Sequence, residues 1–199
     1  MVRNFVEKVK GFITAPVVTF QRSRDDSFRQ VSTYFVVLLL TNAILTTVIV
    51  ITGMSVSYLF WAISGLGQVY PVIFFEYFFG GGVSAVPQSV FLFLFVGGIV
   101  GVFVCSAWLH LFVRFLGGRK GYLQTLKSLM YGMTPTLLLG WVPYISFIGP
   151  VWSFVLEVLG IRELQEMSVG KAVAAVLVAM VVAVIIIIVI SAVLLLSLI

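Results

Sequence analysis

The sequence predicts an all-α polytopic membrane protein: a five-transmembrane-helix bundle with an N-terminal amphipathic helix, its N-terminus cytoplasmic and its C-terminus outside. Three observations lead there. Of 199 residues, 61% are hydrophobic and 10% are charged, against roughly 25% charged in soluble domains, and the apolar residues fall into long runs. The mean hydropathy is +1.20. One assignment of five spans then puts all 12 Lys and Arg residues on a single side of the membrane, as expected when basic residues near span ends stay cytoplasmic.

The tail, residues 1–30, comes first. Val2, Phe5, Val6, Val9, Phe12 and Ile13 recur at helical spacing, with Arg3, Glu7, Lys8 and Lys10 at other angles, which describes a short amphipathic helix. Two placements are open: flat in the cytoplasmic interface against anionic lipid, or packed beneath the bundle. Pro16 punctuates the chain, and residues 21–30 lead into the first span with Asp26 or Ser27 as N-cap. The first twelve residues alternate charged and apolar groups rather than forming a continuous apolar run, so the first span is expected to act as an uncleaved anchor.

The membrane domain, residues 31–199, contains spans expected near 31–53, 89–113, 126–140, 145–161 and 172–198. Crossing the hydrocarbon layer takes roughly 17 to 25 residues, so the third and fourth are short. Trp141, Val142, Pro143 and Tyr144 form a tight turn between them. The fifth exceeds what is needed and is expected to tilt. Residues 54–88 are apolar enough to suggest a sixth span, but a full crossing there would carry six basic residues outside. That segment is read as an outer interfacial or re-entrant element, which suits its aromatic residues, Glu76 and the glycines at 80–82.

Small residues recur every fourth position at Gly97, Gly101 and Cys105, and again at Ala175, Ala179 and Ala183. Such stripes mark close helix contacts in lipid. Packing within the bundle is favoured over a homo-oligomeric face. Polar groups inside spans are few, and three share a depth: His110, Tyr131 and Glu157 each lie about a turn inward from Arg114, Lys127 and Arg162 respectively. They are expected to form one buried polar cluster, because an ionisable group in the membrane turns inward and seeks a partner. Pro135, Gly149 and Pro150 interrupt the third and fourth spans.

Several functions are excluded or demoted. The net charge of +5 reports topology rather than nucleic-acid binding. A single His and a single Cys leave no two-His zinc motif, multi-thiolate site or intramolecular disulfide, and Asp25 and Asp26 both lie in the tail. No serine sits in a GxSxG context. Residues 117–121 resemble a phosphate loop in composition only, since the GxxxxGK[ST] spacing is absent. Neither catalysis nor a cofactor or metal is therefore expected. The candidate recognition surface is basic and cytoplasmic: Arg114, Arg119, Lys120, Lys127, Arg162 and Lys171.

Further residues carry a family likeness. His110, Arg114, the Gly117, Gly118, Gly121, Tyr122 loop, and Gln124, Thr125, Leu126 are followed by Tyr131 and Pro135, then Gly160, Ile161, Arg162, Glu163, and Gly170, Lys171, Ala172. With Pro16, Thr19 and Phe20 upstream, this order resembles the Yip domain of the Ypt-interacting-protein family. The resemblance implies a five-helix membrane bundle with a cytoplasmic N-terminus. Eukaryotic relatives associate with small GTPases of the Rab type in vesicle traffic, usually through a longer N-terminal region. The short tail resembles prokaryotic members and a cell-membrane location. The expected function is a non-enzymatic membrane scaffold or adaptor that meets anionic headgroups or a protein partner through its basic face. The alternative is a small-solute or ion transporter or channel using the kinked third and fourth spans.

Overall fold

The computed structural model describes residues 2–51, 86–142 and 144–196. The expected outer segment at 54–88 lies outside the described residues except at its last three positions, which open a helix, and Pro143 of the expected turn also lies outside them. Every regular element among the described residues is helical: α1 Val2–Thr14, α2 Pro16–Arg22, α3 Phe28–Ile51, α4 Val86–Phe115, α5 Tyr122–Gly132, α6 Thr134–Leu139, α7 Ile148–Gln165 and α8 Val169–Leu196.

Local chemistry explains the boundaries. Proline opens α2 and α6, where its missing N–H costs nothing and its fixed φ suits the first turn. Ser27 caps α3 in a reciprocal arrangement: the Ser27 N–H donates to Gln30 Oε1 at 2.8 Å, and the Gln30 N–H donates to Ser27 Oγ at 3.4 Å, a capping box with Gln at the third helical position. The single span expected at 126–140 is two helices broken at Met133, because Pro135 cannot donate and starts a new turn. Ser153 of α7 supports that break by accepting from the Thr136 N–H at 3.1 Å and the Thr136 hydroxyl at 2.8 Å. The span expected at 145–161 starts later, at Ile148, and continues to Gln165.

Among the described residues three segments are long and apolar enough to cross a membrane: Phe28–Ile49, Gln88–Phe115 and Val169–Leu194. These long helices surround α5, α6 and α7. α5 packs most closely on α7, with α3 and α4 against its other sides, and every residue from Thr125 to Gly132 is buried.

The tail belongs to the core. Of the two placements open to it, the structure takes packing against the bundle. Phe12 and Phe20 are fully buried, Phe12 stacks on Tyr131 at 4.7 Å between ring centroids, and Phe12 meets Phe20 edge-on at 4.8 Å. Gly11 allows the α1–α2 elbow, since a Cβ there would come within 2.6 Å of the Thr19 hydroxyl.

The two small-residue stripes have different fates. Ala175 and Ala179 are buried on α8, where the Trp108 indole N–H donates to the Ala179 carbonyl at 2.9 Å, and Ala183 is half-buried. On α4 the expected stripe does not pack: a Cβ at Gly97 or Gly101 meets nothing, and Cys105 is exposed. The inward face of α4 is instead Gly98, Val102, Ser106, Leu109 and Val113. A Cβ at Gly98 would come within 2.6 Å of a Leu39 methyl, and the other four are buried. Bulk at Val102, Leu109 and Val113 sets the rotation of α4, one position away from the repeat of small residues.

Candidate functional site

Two polar networks occupy the charged end of the bundle. The first binds the tail to α5. Asp26 accepts from both the Lys8 ammonium and the Tyr131 hydroxyl at 2.5 Å, and Lys8 also lies 3.2 Å from that hydroxyl. A cage of Phe5, Phe12, Phe20 and Tyr34 surrounds the pair, with Tyr34 edge-on to Tyr131 at 5.2 Å. Beneath it, the Thr134 hydroxyl donates to the Tyr131 carbonyl at 2.6 Å, which leaves Tyr34 to donate to Thr134 at 2.9 Å. Burying these groups costs little because each finds a partner.

The second network joins two loops, α4–α5 and α7–α8. Gln165, almost wholly buried, holds three groups at once: its Nε2 donates to Thr125 Oγ1 at 2.9 Å and to the Gly121 carbonyl at 3.3 Å, and its Oε1 accepts from the Lys120 N–H at 3.0 Å. Thr125 Oγ1 in turn shares a hydrogen bond with His110 Nδ1 at 2.8 Å. Glu166 ends α7 in the left-handed region, φ 56° and ψ 44°, as the Met167 N–H bonds back to the Arg162 carbonyl at 3.0 Å. Glycine is the usual occupant of that position, and a side chain there costs about 1–2 kcal/mol. Here the side chain is used: Glu166 bridges Arg24 at 3.0 Å and Lys120 at 3.1 Å.

A cavity of about 310 Å³ opens between these loops, lined by Gly117, Arg119, Gln165, Glu166, Met167, Ser168 and Lys171. Gly117 turns the α4–α5 loop at φ 97°. Gly118 is wedged behind it, where a Cβ would strike Val113 and approach Gln165 Oε1 to 3.3 Å. Among the described residues no three His, Cys, Asp or Glu side chains gather as metal ligands.

The expected cluster of His110, Tyr131 and Glu157 is replaced by separate partnerships. His110 belongs to the Thr125–Gln165 network, and Tyr131 to Asp26 and Lys8. Glu157 offers its carbonyl to Ser128 at 3.2 Å and lays its side-chain stem against Gly132, where a Cβ would come within 2.8 Å. Equal depth was legible in the sequence, but rotation about each helix axis aims the three side chains at different neighbours. Of the six basic residues expected to form the recognition surface, Arg119 and Lys171 line the cavity. Lys120 and Arg162 are held by Glu166 and Glu163, at 3.1 and 3.2 Å, while Arg114 reaches the Gly118 carbonyl at 3.5 Å. Lys127 does not join this surface. It is 4% exposed and donates at 2.8 Å to the Arg24 carbonyl, just past the end of α2, where helix carbonyls favour a cation.

Lys8, Asp26, Thr125, Gln165 and Glu166 are the residues sequence reasoning missed as site members. Thr125 lies within the segment that carried the family likeness, and Asp26 was noticed only as a cap. Their partners are distant in the chain, 105 positions apart for Asp26 and Tyr131.

A family model described as the Yip1 domain matches residues 10–192. No curated protein and no solved structure matches the chain.

Proposed function

The chain belongs to the Yip1-domain family, and from that premise we propose that it is a non-enzymatic membrane scaffold or adaptor acting through the charged end of its bundle. The observation that carries this reading is convergence. The tail, the α4–α5 loop and the adjoining ends of α4, α7 and α8 bring Arg24, Arg114, Arg119, Lys120, Arg162 and Lys171 onto one connected surface, whereas the long helices present apolar side chains outward. A surface of this kind meets anionic headgroups or an acidic protein partner. In this reading the chain crosses a prokaryotic cell membrane five times, with the charged end cytoplasmic and the C-terminus outside. The short middle helices α5–α6 and α7 then form a hairpin sheltered by the longer ones. A small-GTPase partner rests on family likeness.

The test uses proteoliposomes with the charged end outward, offered anionic vesicles or a candidate partner. Charge reversal at Arg22 and Arg114, both exposed and outside the cavity, is expected to weaken attachment several-fold, and more so at low salt. Unchanged attachment in both assays defeats the recognition reading. The break at Met133, beside Glu157, favours the second reading, a solute or ion path. Flux across sealed vesicles that Glu157→Gln abolishes would replace the scaffold with a transporter.

A further inference from the structure

The cavity between the α4–α5 and α7–α8 loops has a definite chemistry. Two cations line it, Arg119 and Lys171, with one carboxylate, Glu166, whose oxygens are paired to Arg24 and Lys120. Arg119 and Lys171 make no ion pair among the described residues and both line the space. Two uncommitted cations facing one concavity match an oxyanion with several terminal oxygens, because the Arg fork and the Lys point charge give the stronger, charge-assisted class of hydrogen bond.

The walls narrow the class further. Glu166 and Ser168 also line the cavity, so a bare anion would meet a carboxylate oxygen, whereas a ligand that also carries a hydroxyl would find acceptors there. The volume, about 310 Å³, lies at the lower end of small-molecule sites, roughly 300–1,000 Å³, which admits a phosphate with a short polyol and excludes a folded partner element. The cleft is also built in advance. Gln165 locks the Lys120 N–H, the Gly121 carbonyl and Thr125 together, and Glu166 is held in its left-handed conformation by two cations. Little ordering cost remains for a ligand to meet.

We propose that this cavity binds a phosphate ester whose carrier also donates a hydroxyl, with Arg119 and Lys171 on the phosphate and Glu166 and Ser168 facing the hydroxyl. The inference rests on reading the charged end as a recognition surface, and it deepens that reading by naming a ligand. Two sources share the chemistry: a lipid headgroup such as that of phosphatidylglycerol, and a soluble phosphate ester such as glycerol 3-phosphate.

The full chain is purified in detergent and titrated with glycerol 3-phosphate by calorimetry. Separately, it is reconstituted in phosphatidylcholine vesicles with or without phosphatidylglycerol, and retained lipid is read by mass spectrometry. Saturable binding of the soluble ester alone identifies a metabolite site, preferential retention of phosphatidylglycerol alone identifies a headgroup site, and either supports the proposal. The Arg119→Ala, Lys171→Ala double variant is expected to lose roughly tenfold per cation removed. Arg119→Lys keeps the charge and recovers part of the binding, while Lys10→Ala, on the exposed face of α1, changes nothing. Helical content and monodispersity show that each variant is folded. Absence of both binding events, or binding undiminished in a folded double variant, overturns the proposal. If that happens while the Arg22 and Arg114 reversals still weaken vesicle attachment, only the cavity assignment fails; if attachment is also unchanged, the surface reading fails with it.

Discussion

α5 and α8 reverse the relation between hydrophobicity and burial that holds in soluble proteins. α5 carries Gln124, Thr125, Lys127, Ser128 and Tyr131, yet every residue from Thr125 to Gly132 is buried. α8 is the most apolar segment, but only 17% of its most apolar window is buried, and its Val and Ile residues from 184 to 190 are exposed. The difference is one of solvent. Lipid tails are as apolar as leucine, so nothing drives α8 inward beyond close packing at Ala172, Ala175 and Ala179. Polar side chains have no water to turn to in that solvent and gather where they can bond one another. α5 is the interior because it is polar and partnered.

The comparison can be broken most directly at glycines. A Cβ at Gly160, on α7 facing α5, would strike the Ser128 hydroxyl and come within 2.9 Å of the Phe20 ring. Gly160→Val is expected to destabilise by about 3 kcal/mol, read as a fall in thermal unfolding temperature in detergent, whereas Gly101→Val on the open face of α4 leaves that temperature nearly unchanged. Equal losses would mean that the α4 face is packed in the membrane.

A smaller effect tests the polar interior. Tyr131→Phe keeps the aromatic stack on Phe12 and removes the hydroxyl that Asp26 accepts, a charge-assisted bond worth about 1.5–3 kcal/mol. The tail should become sensitive to limited proteolysis before the bundle unfolds; unaltered protection would show that the aromatic cage alone holds it. The smallest effect belongs to α8. Ile187, 62% exposed, replaced by alanine should alter stability by less than about 0.5 kcal/mol, and a larger loss would reveal a protein partner on that helix.

Much of the architecture could be read from the residues. Long apolar runs located α3, α4 and α8, and Pro135 marked the α5–α6 break, although the sequence suggested a kink rather than two helices. The amphipathic tail was visible in the spacing of Phe5, Val9 and Phe12, but not its destination, because an apolar stripe suits lipid and a protein groove equally well. The site was less legible. Arg119 and Lys171 were marked by charge, whereas Gln165, which holds the two loops together, is an ordinary residue until its three partners are known. Lys127 was misassigned because charge alone does not reveal a buried backbone acceptor such as the Arg24 carbonyl.

The sequence by itself determined that this is a helical membrane protein of the Yip1-domain family and that its basic residues flank its apolar runs. Hydropathy and charge are properties of each residue in a given solvent, so they add along the chain and need no fold. Only the tertiary structure decided which residues meet: that Tyr131 finds Asp26, that His110 reaches Gln165 through Thr125, and that α4 turns Gly98 inward rather than Gly97. Each residue advances a helix by about 100° at 3.6 residues per turn. A contact between helices therefore depends on a rotation fixed by the packing of bulky side chains, which no single stretch of chain specifies.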